Sequence, residues 1–411
     1  MKIAILGYGV EGKAVEKYFS SEETTVFNDF APEEVNTLDL KPYDLVFRSP
    51  SVHPLKRPLK KHTSITKYFY EHCPCSIIGV TGTKGKGTTC SMITAILEAA
   101  GHTVHLVGNI GVPALEVLDS IKPDDFVVYE MSSFQLWDLE KSPHVAVVLR
   151  IEPDHLNVHD DYADYVSAKS HIAAYQTPDD FCIYYENNPD SCRIAEKSAG
   201  TKYPYPSIIS HFMENVKLSV PGNHNRENAA AATIAAAVAC GIDPSDISQE
   251  FFTTAKSALE NFKGLPHRCQ YLRTLNDVDY YDDNYSSAFP ATDVALAAFS
   301  DRPLVLIAGG KDKGVPLGDL KSRIFGAKNL RKAILIGETA EALAKSENPT
   351  KYLITETLAQ AVATAQEIAE NYATPENPAV VLMSPGCASF DMFKNFADRG
   401  EQYQQLVKEL H

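Results

Sequence analysis

Short apolar stretches, each closed by a glycine or a polar cluster and followed by a helix-length run, recur along the whole chain. The spacing predicts strands in the opening KIAIL and at 25–27 and 45–50, then at 77–81, 103–107, 126–130 and 145–149. A third set follows at 278–281, 304–310, 333–337 and 380–386. Alternation of this kind predicts an α/β chain with mainly parallel sheets, helices on both faces and ligands at the carboxyl ends of the strands. The pattern changes character twice, giving a short Rossmann-like segment at 1–65, a larger central segment at 66–264 and a second Rossmann-like segment at 265–411. The alanine-rich AAAATIAAAVA at 229–239, after the polar turn GNHNREN, predicts a tightly packed core helix.

Candidate chemistry falls where these strands end. At 77–89 the chain reads IIGVTGTKGKGTT: a strand, three glycines, lysines at 84 and 86, then a helix expected from Ser91. Glycines let backbone N–H groups turn toward phosphate oxygens, a lysine neutralises the terminal phosphates, and a helix N-terminus adds positive potential. The motif is nucleotide-phosphate chemistry of the P-loop ATPase kind, although a strict P-loop would put its first glycine at Val80 and its hydroxyl at Gly87. Glu130 closes the strand FVVYE just before Ser132 and Ser133, where a carboxylate suits the divalent cation that accompanies nucleotide phosphates. Asp154 and His155 sit in a DHLNVHDD cluster that suits metal or substrate contact; a lone histidine is more often structural. Lys169, in DYVSAKSHI, has the composition of an ordinary solvated helix lysine. The first glycine turn, Gly7 to Gly12, suits docking of a nucleotide diphosphate, with Asn28 and Asp29 after the second strand where a ribose-binding acid would sit.

Bulk properties narrow the class. With 411 residues, 44% hydrophobic and 22% charged, the chain expects two or three domains. It has no run near the ~18 apolar residues of a membrane span and lacks a signal peptide's cleavage pattern, so a cytoplasmic enzyme is expected. The eight cysteines form no regular framework, which suits a reducing compartment. A net charge of −15 argues against nucleic-acid binding. Any anionic substrate must be held by local cations and helix ends.

Taken in order, TGTKGKGTT, GNIGVPAL at 108–115, SSFQL at 132–136, DH at 154–155 and YVSAK at 165–169 resemble the Mur ligases. So do GNHNREN at 222–228, GLPHR at 264–268, GGKDKG at 309–314 and SPGCASFDMFKNFADRG at 384–400. The resemblance covers essentially the whole chain, and SSFQL with the last block is most similar to the branch that adds D-glutamate. It implies three domains, for a UDP-sugar, ATP and an amino acid. It also implies an ATP- and magnesium-dependent ligation of D-glutamate to UDP-N-acetylmuramoyl-L-alanine through an acyl phosphate; a monomer without nucleic-acid partners is expected. Gly82, Thr83, Lys84, Gly85, Lys86, Gly87 and Thr88 would cradle ATP, with Asn225, Asn228, Arg268 and Asp283. Thr88, Glu130, His155 and a carbamoylated Lys169 would serve the metal, and Lys86, His155, Lys169 and Arg268 the catalysis. Gly9, Val10, Glu11, Asn28, Ser49, Asn109 and Ser132 match the UDP-sugar contacts; Ser287, Lys313, Ser389 and Phe396 match the D-glutamate pocket. Three positions depart from the pattern: Gly87 replaces a hydroxyl residue, Tyr285 a lysine, and Ser51 a glycine. The rival readings are a sister ligase with another amino acid or acceptor, a folylpolyglutamate-type ligase, and a nucleotide-binding homologue impaired in catalysis.

Overall fold

The computed structural model describes residues 1–28, 37–50, 52 and 62–411; Asp29 and Ser51, singled out above, lie outside the described residues. Among the described residues sixteen strands form three sheets. The first contains β1 (Lys2–Leu6), β2 (Glu23–Phe27), β3 (Leu45–Arg48) and β4 (His62–Thr63), all parallel, in the order β2-β1-β3-β4. β1 is buried from Ile3 to Leu6, as its unbroken apolar run requires of a strand covered on both faces.

The second sheet contains β5 (Ser76–Thr81), β6 (Val104–Gly108), β7 (Phe126–Glu130), β8 (Val145–Val148), β9 (Phe181–Tyr185) and β10 (Thr201–Tyr205). It is parallel throughout, in the order β10-β9-β8-β5-β7-β6. β5 lies between β7 and β8, so the strand order reverses beside it. A crevice at the carboxyl ends opens at such a reversal.

The third sheet contains β11 (Gln270–Leu275), β12 (Val278–Asp282), β13 (Leu304–Gly309), β14 (Leu330–Ile336), β15 (Tyr352–Ile354) and β16 (Ala379–Met383), in the order β11-β12-β16-β13-β14-β15. All its pairs are parallel except β11 with β12, an antiparallel hairpin turned by Asn276 and Asp277 at φ 51° and 60°.

By packing, the chain divides into two compact units: Met1–Lys217 with Arg226–Glu260, and Leu218–Asn225 with Asn261–His411. In the first unit the first two sheets share one core. Ile3, Ile5, Phe19 and Phe47 belong to the same cluster as Phe69, Tyr129 and Leu136. Polar contacts reinforce it: Arg48 pairs with Asp138, and Tyr18 Oη donates to Asp119 at 2.8 Å. The second unit has two cores, one built on Leu306, Leu335 and Leu382 and the other on Ile307, Ile334 and Val381, as alternation along buried parallel strands dictates. No helix among the described residues is long and apolar enough to cross a membrane.

Several expectations need correction. The helix after the glycine loop begins at Lys86, not Ser91, and the alanine-rich helix spans Asn223–Ala239, so GNHNREN is largely helical and not a turn. Both starts carry glycine, threonine or asparagine, whose low helix propensity hides a first turn held by its surroundings. The antiparallel β11 and the strands β4, β9, β10 and β15 were absent from the expected set. β9 and β10 are rich in tyrosine, with a proline at 204, and β11 is only partly buried.

Candidate active site

Everything that suits phosphate chemistry in the first unit hangs on the end of β5. Gly85 is left-handed at φ +89°, and a Cβ there would lie 2.5 Å from Asn228 Oδ1, so glycine is required both by the turn and by the neighbour. The first helical bond of the following helix runs from Thr89 N to Gly85 O at 2.9 Å. The amides of Lys86, Gly87 and Thr88 therefore precede the helical ladder, in the position from which helix ends bind anions. Lys86 Nζ donates to Gly82 O and Thr83 O, both at 3.1 Å, so its charge is held over the loop. Thr83 Oγ1 meets Tyr165 Oη at 2.9 Å and donates to Glu152 O, bracing the loop; Lys84 is exposed. Thr88 is half-buried. Thr89 is fully buried, and its Oγ1 has no hydrogen-bond partner among the described residues.

Glu130 is opposite Val80 in the β5–β7 register and is 6% exposed, which sets a buried carboxylate one strand away from the loop. Ser132 then caps the helix Ser133–Leu136 in a reciprocal box with Gln135. Gln135 Nε2 also donates to Glu11 Oε1 at 2.9 Å, and burial raises the Glu11 carboxyl above its usual range. The first glycine turn is thereby tied to the Ser132 turn. Asn28 Oδ1 accepts from Tyr8 N at 3.0 Å, Ser49 N donates to Leu6 O, and Gly9 caps the helix that starts at the exposed Val10. Asn109 is exposed just beyond β6.

Lys169 corrects the composition-based expectation outright. It is 2% exposed, and its Nζ donates to Gly82 O at 2.9 Å and Thr81 Oγ1 at 3.3 Å, packed 4.8 Å from the Tyr165 ring centre. Burial, and then the charge of Lys86, hold its amine well below the usual lysine range, against the pull of Asp154 and Glu130. Helical periodicity could not show this, because what surrounds Lys169 comes from the distant β5 loop.

His155 stands at φ +54°, half exposed, with Nε2 3.7 Å from Asp154 Oδ2 and its ring edge-on to Phe134. Behind it lies a residue that the sequence reading did not single out. His159 is buried, with Nε2 2.9 Å from Ser133 Oγ and Nδ1 2.8 Å from Asp164 Oδ2, and its ring stacks on Phe134. Its backbone N–H donates to His155 O at 3.0 Å, so His159 anchors the turn that presents His155. The available signal was a histidine just ahead of the helix start at Tyr162, whose first turn carries Asp164. Among the described residues no group of three or more His, Cys, Asp or Glu side chains gathers into a ready cation cage.

In the second unit, the Arg268 guanidinium lies 3.7 Å from the Tyr285 ring centre. Its neighbour His267 is clamped to Asp282 at 2.7 Å; that bond raises the ring above its usual value of 6.5 in spite of burial. Asp283 is buried, accepting from Ser384 Oγ at 2.6 Å and Cys269 N at 3.1 Å, and burial pushes its carboxyl up to about 6. Lys313 Nζ donates to Ser287 O at 3.2 Å, and both residues line a cavity of about 210 Å³ with Lys311 and Gly386. Ser389 is buried and Phe396 is partly exposed against Tyr285; neither lines that cavity. Asn225 donates to Pro221 O at 2.7 Å and Asn228 sits against Gly85 in the first unit, both on the helix Asn223–Ala239.

The Mur ligase middle domain family matches residues 80–211. A UDP-N-acetylmuramoylalanine–D-glutamate ligase of Clostridium tetani is 31% identical, over all of this chain and 97% of the relative. A protein of the same name from Streptococcus thermophilus is 36% identical over 81% of this chain and 74% of its own length. Among solved structures, MurF from Acinetobacter baumannii shares the fold with a TM-score of 0.60 at 17% identity, covering 86% of this chain and 84% of its own. With a glycine loop, a strand-end carboxylate and a buried lysine at one end of the second sheet, and a relative similar from end to end, the chain belongs to the Mur ligase family of ATP-dependent ligases.

Proposed function

We propose that the chain joins D-glutamate to UDP-N-acetylmuramoyl-L-alanine, driven by ATP, as a cytoplasmic monomer. The observation that carries this reading is the cluster at the carboxyl edge of the second sheet: the glycine loop with Lys86 folded over it, Glu130 on the adjoining strand and Lys169 buried against Gly82. The names of relatives similar along the whole chain support the same pair of substrates.

A carboxylate resists attack by an amine because its oxygen is a poor leaving group. Transfer of the γ-phosphoryl group to an oxygen of the alanyl carboxylate breaks the bond to the β–γ bridging oxygen and gives ADP and an acyl phosphate. The neutral amine of D-glutamate then attacks the acyl carbon. The tetrahedral intermediate expels inorganic phosphate, and the amide remains once the amine's proton has left. Lys86 and the amides from Gly82 to Thr88 would offset charge on the phosphates as it shifts, the largest single contribution such a site makes. Asn225, Asn228, Arg268 and Asp283 would hold the rest of the nucleotide. Gly9, Val10, Glu11, Asn28, Ser49, Asn109 and Ser132 would hold the UDP-sugar, and the Glu11–Gln135–Ser132 link supports their acting together. Lys313 and Ser287, already joined at one cavity, would receive D-glutamate with Ser389 and Phe396.

The residues present fit magnesium. This ion keeps several waters and takes one or two carboxylates beside phosphate oxygens, and the buried carboxylate of Glu130, one strand from the glycine loop, suits that demand. Glu130, His155 and the Thr88 hydroxyl would hold it, and its charge would neutralise the phosphates. Lys169 fits a carbamate: burial lowers its amine well below the usual lysine range and so favours the neutral form, which bonds to CO₂ with loss of a proton. The adduct would put an anion where the buried amine now lies against Gly82.

Phosphate release should be measured with UDP-N-acetylmuramoyl-L-alanine and, in turn, D-glutamate, L-glutamate, D-alanine, L-lysine and diaminopimelate. Release that depends on D-glutamate supports the reading. Release with a different amino acid alone would move the chain to a sister ligase.

A further inference from the structure

We propose that Tyr285 is a positioning residue, whose ring holds the Arg268 guanidinium flat with its N–H edges open to phosphate oxygens. The inference rests on the reading above, in which Arg268 meets the ATP triphosphate. The guanidinium carbon lies over the ring, 3.7 Å from its centre, well inside the ~6 Å reach of a cation on an aromatic quadrupole. Stacking uses the flat face of the group, whereas its five N–H donors lie in the plane and project from the edges. A carboxylate partner would do the opposite, occupying the edge and cancelling the charge. Among the described residues Arg268 forms no ion pair, so its charge is kept for a ligand.

Tyr285 is itself braced. Its backbone N–H donates to His267 O at 2.9 Å, joining the loop after β12 to the segment that carries Arg268. The Phe396 ring meets Tyr285 edge-on at 5.3 Å and His267 at 6.3 Å, and His267 is fixed by Asp282. Tyr285 is nonetheless 47% exposed and belongs to neither of the two cores described for the second unit. A ring placed there adds little to folding; its effect is to remove rotamer freedom from a long arginine before the ligand arrives.

The test is steady-state kinetics on the full chain, with ATP varied, for Tyr285→Phe, Tyr285→Leu, Arg268→Ala and the double variant Tyr285→Leu/Arg268→Ala, with the melting temperature of each. Tyr285→Phe keeps the ring face and should stay within about twofold of wild type. Tyr285→Leu should lose roughly 3- to 30-fold in kcat/KM for ATP, the span of such contacts from exposed to desolvated, at an unchanged melting temperature. In the Arg268→Ala background the same change should cost nothing further. Equal activity of the Leu and Phe variants, a gain in the Leu variant, or an undiminished loss without Arg268 would overturn the proposal. If Arg268→Ala itself leaves ATP kinetics intact, the nucleotide role of Arg268 falls, and the positioning role with it.

Discussion

Two lysines meet at the same carbonyl and do opposite things. Lys86 and Lys169 both donate to Gly82 O, at 3.1 and 2.9 Å, but Lys86 is only partly buried while Lys169 is sealed beneath the loop. Desolvation sets Lys169 apart: burial disfavours its ammonium form and holds the amine well below the usual lysine range. Neutrality is what CO₂ capture needs. Lys169→Ala should therefore abolish turnover, with a loss of roughly 10²–10³ or more in kcat, the scale of removing one preorganised charge. Acetate should restore part of the rate by filling the vacated anionic position. Wild-type activity should also fall after exhaustive removal of CO₂ and recover with bicarbonate. Full activity of Lys169→Ala would remove the carbamate from the mechanism. Sequence periodicity shows Lys169 on a helix, whereas its function depends on what β5 brings against it.

At the scale of elements, the glycine loop works because Gly85 turns where no side chain fits. Gly85→Ala would force a left-handed alanine, costing about 1–2 kcal/mol, and push a Cβ against Asn228. A lower urea midpoint together with weaker nucleotide binding is expected; an unchanged midpoint would mean that the turn relaxes without penalty. In the second unit the His267–Asp282 clamp carries a pH signature. The His267 value in the fold is raised above 6.5, first by its hydrogen bond to Asp282. The stabilisation is therefore complete below about 6.5 and is lost as pH rises through the raised native value. The stability difference between wild type and His267→Asn, from urea unfolding, should narrow as pH increases over that window; a difference that widens would reverse the sign. These elements differ in how well the sequence shows them. Apolar runs with a glycine or polar stop, such as those of β5, β7 and β13, were legible because burial on both faces leaves no other pattern. β10, with exposed positions and a proline, was not, and neither was the helical start at Lys86, where the turn geometry overrides propensity. The glycine loop and Glu130 could be read from spacing alone. His159 could not, since its partners Ser133 and Asp164 come together only through packing.

At the scale of the molecule, composition separates the first two segments but says nothing about what they share. The first two sheets contribute to one hydrophobic cluster, and Gln135 reaches across to Glu11. Calorimetry should find them unfolding in a single transition, raised by the UDP-sugar and by nucleotide alike, because a ligand at either sheet stabilises the shared core. Saturation at about 100 times Kd adds roughly 2.7 kcal/mol. A separate transition for residues 1–65 would contradict this. The net charge of −15 gives no general attraction for anionic substrates, so in the proposed reading their binding would fall to Lys86, Arg268, Lys313 and the helix ends. All of these features converge on one chemical event, activation of a carboxylate by phosphoryl transfer. The most direct measurement uses UDP-N-acetylmuramoyl-L-alanine carrying oxygen-18 in its alanyl carboxylate, with ATP and D-glutamate, and mass analysis of the phosphate released. One labelled oxygen in each phosphate is expected, since the acyl phosphate leaves with a carboxylate oxygen. Unlabelled phosphate accompanying amide formation would contradict the mechanism.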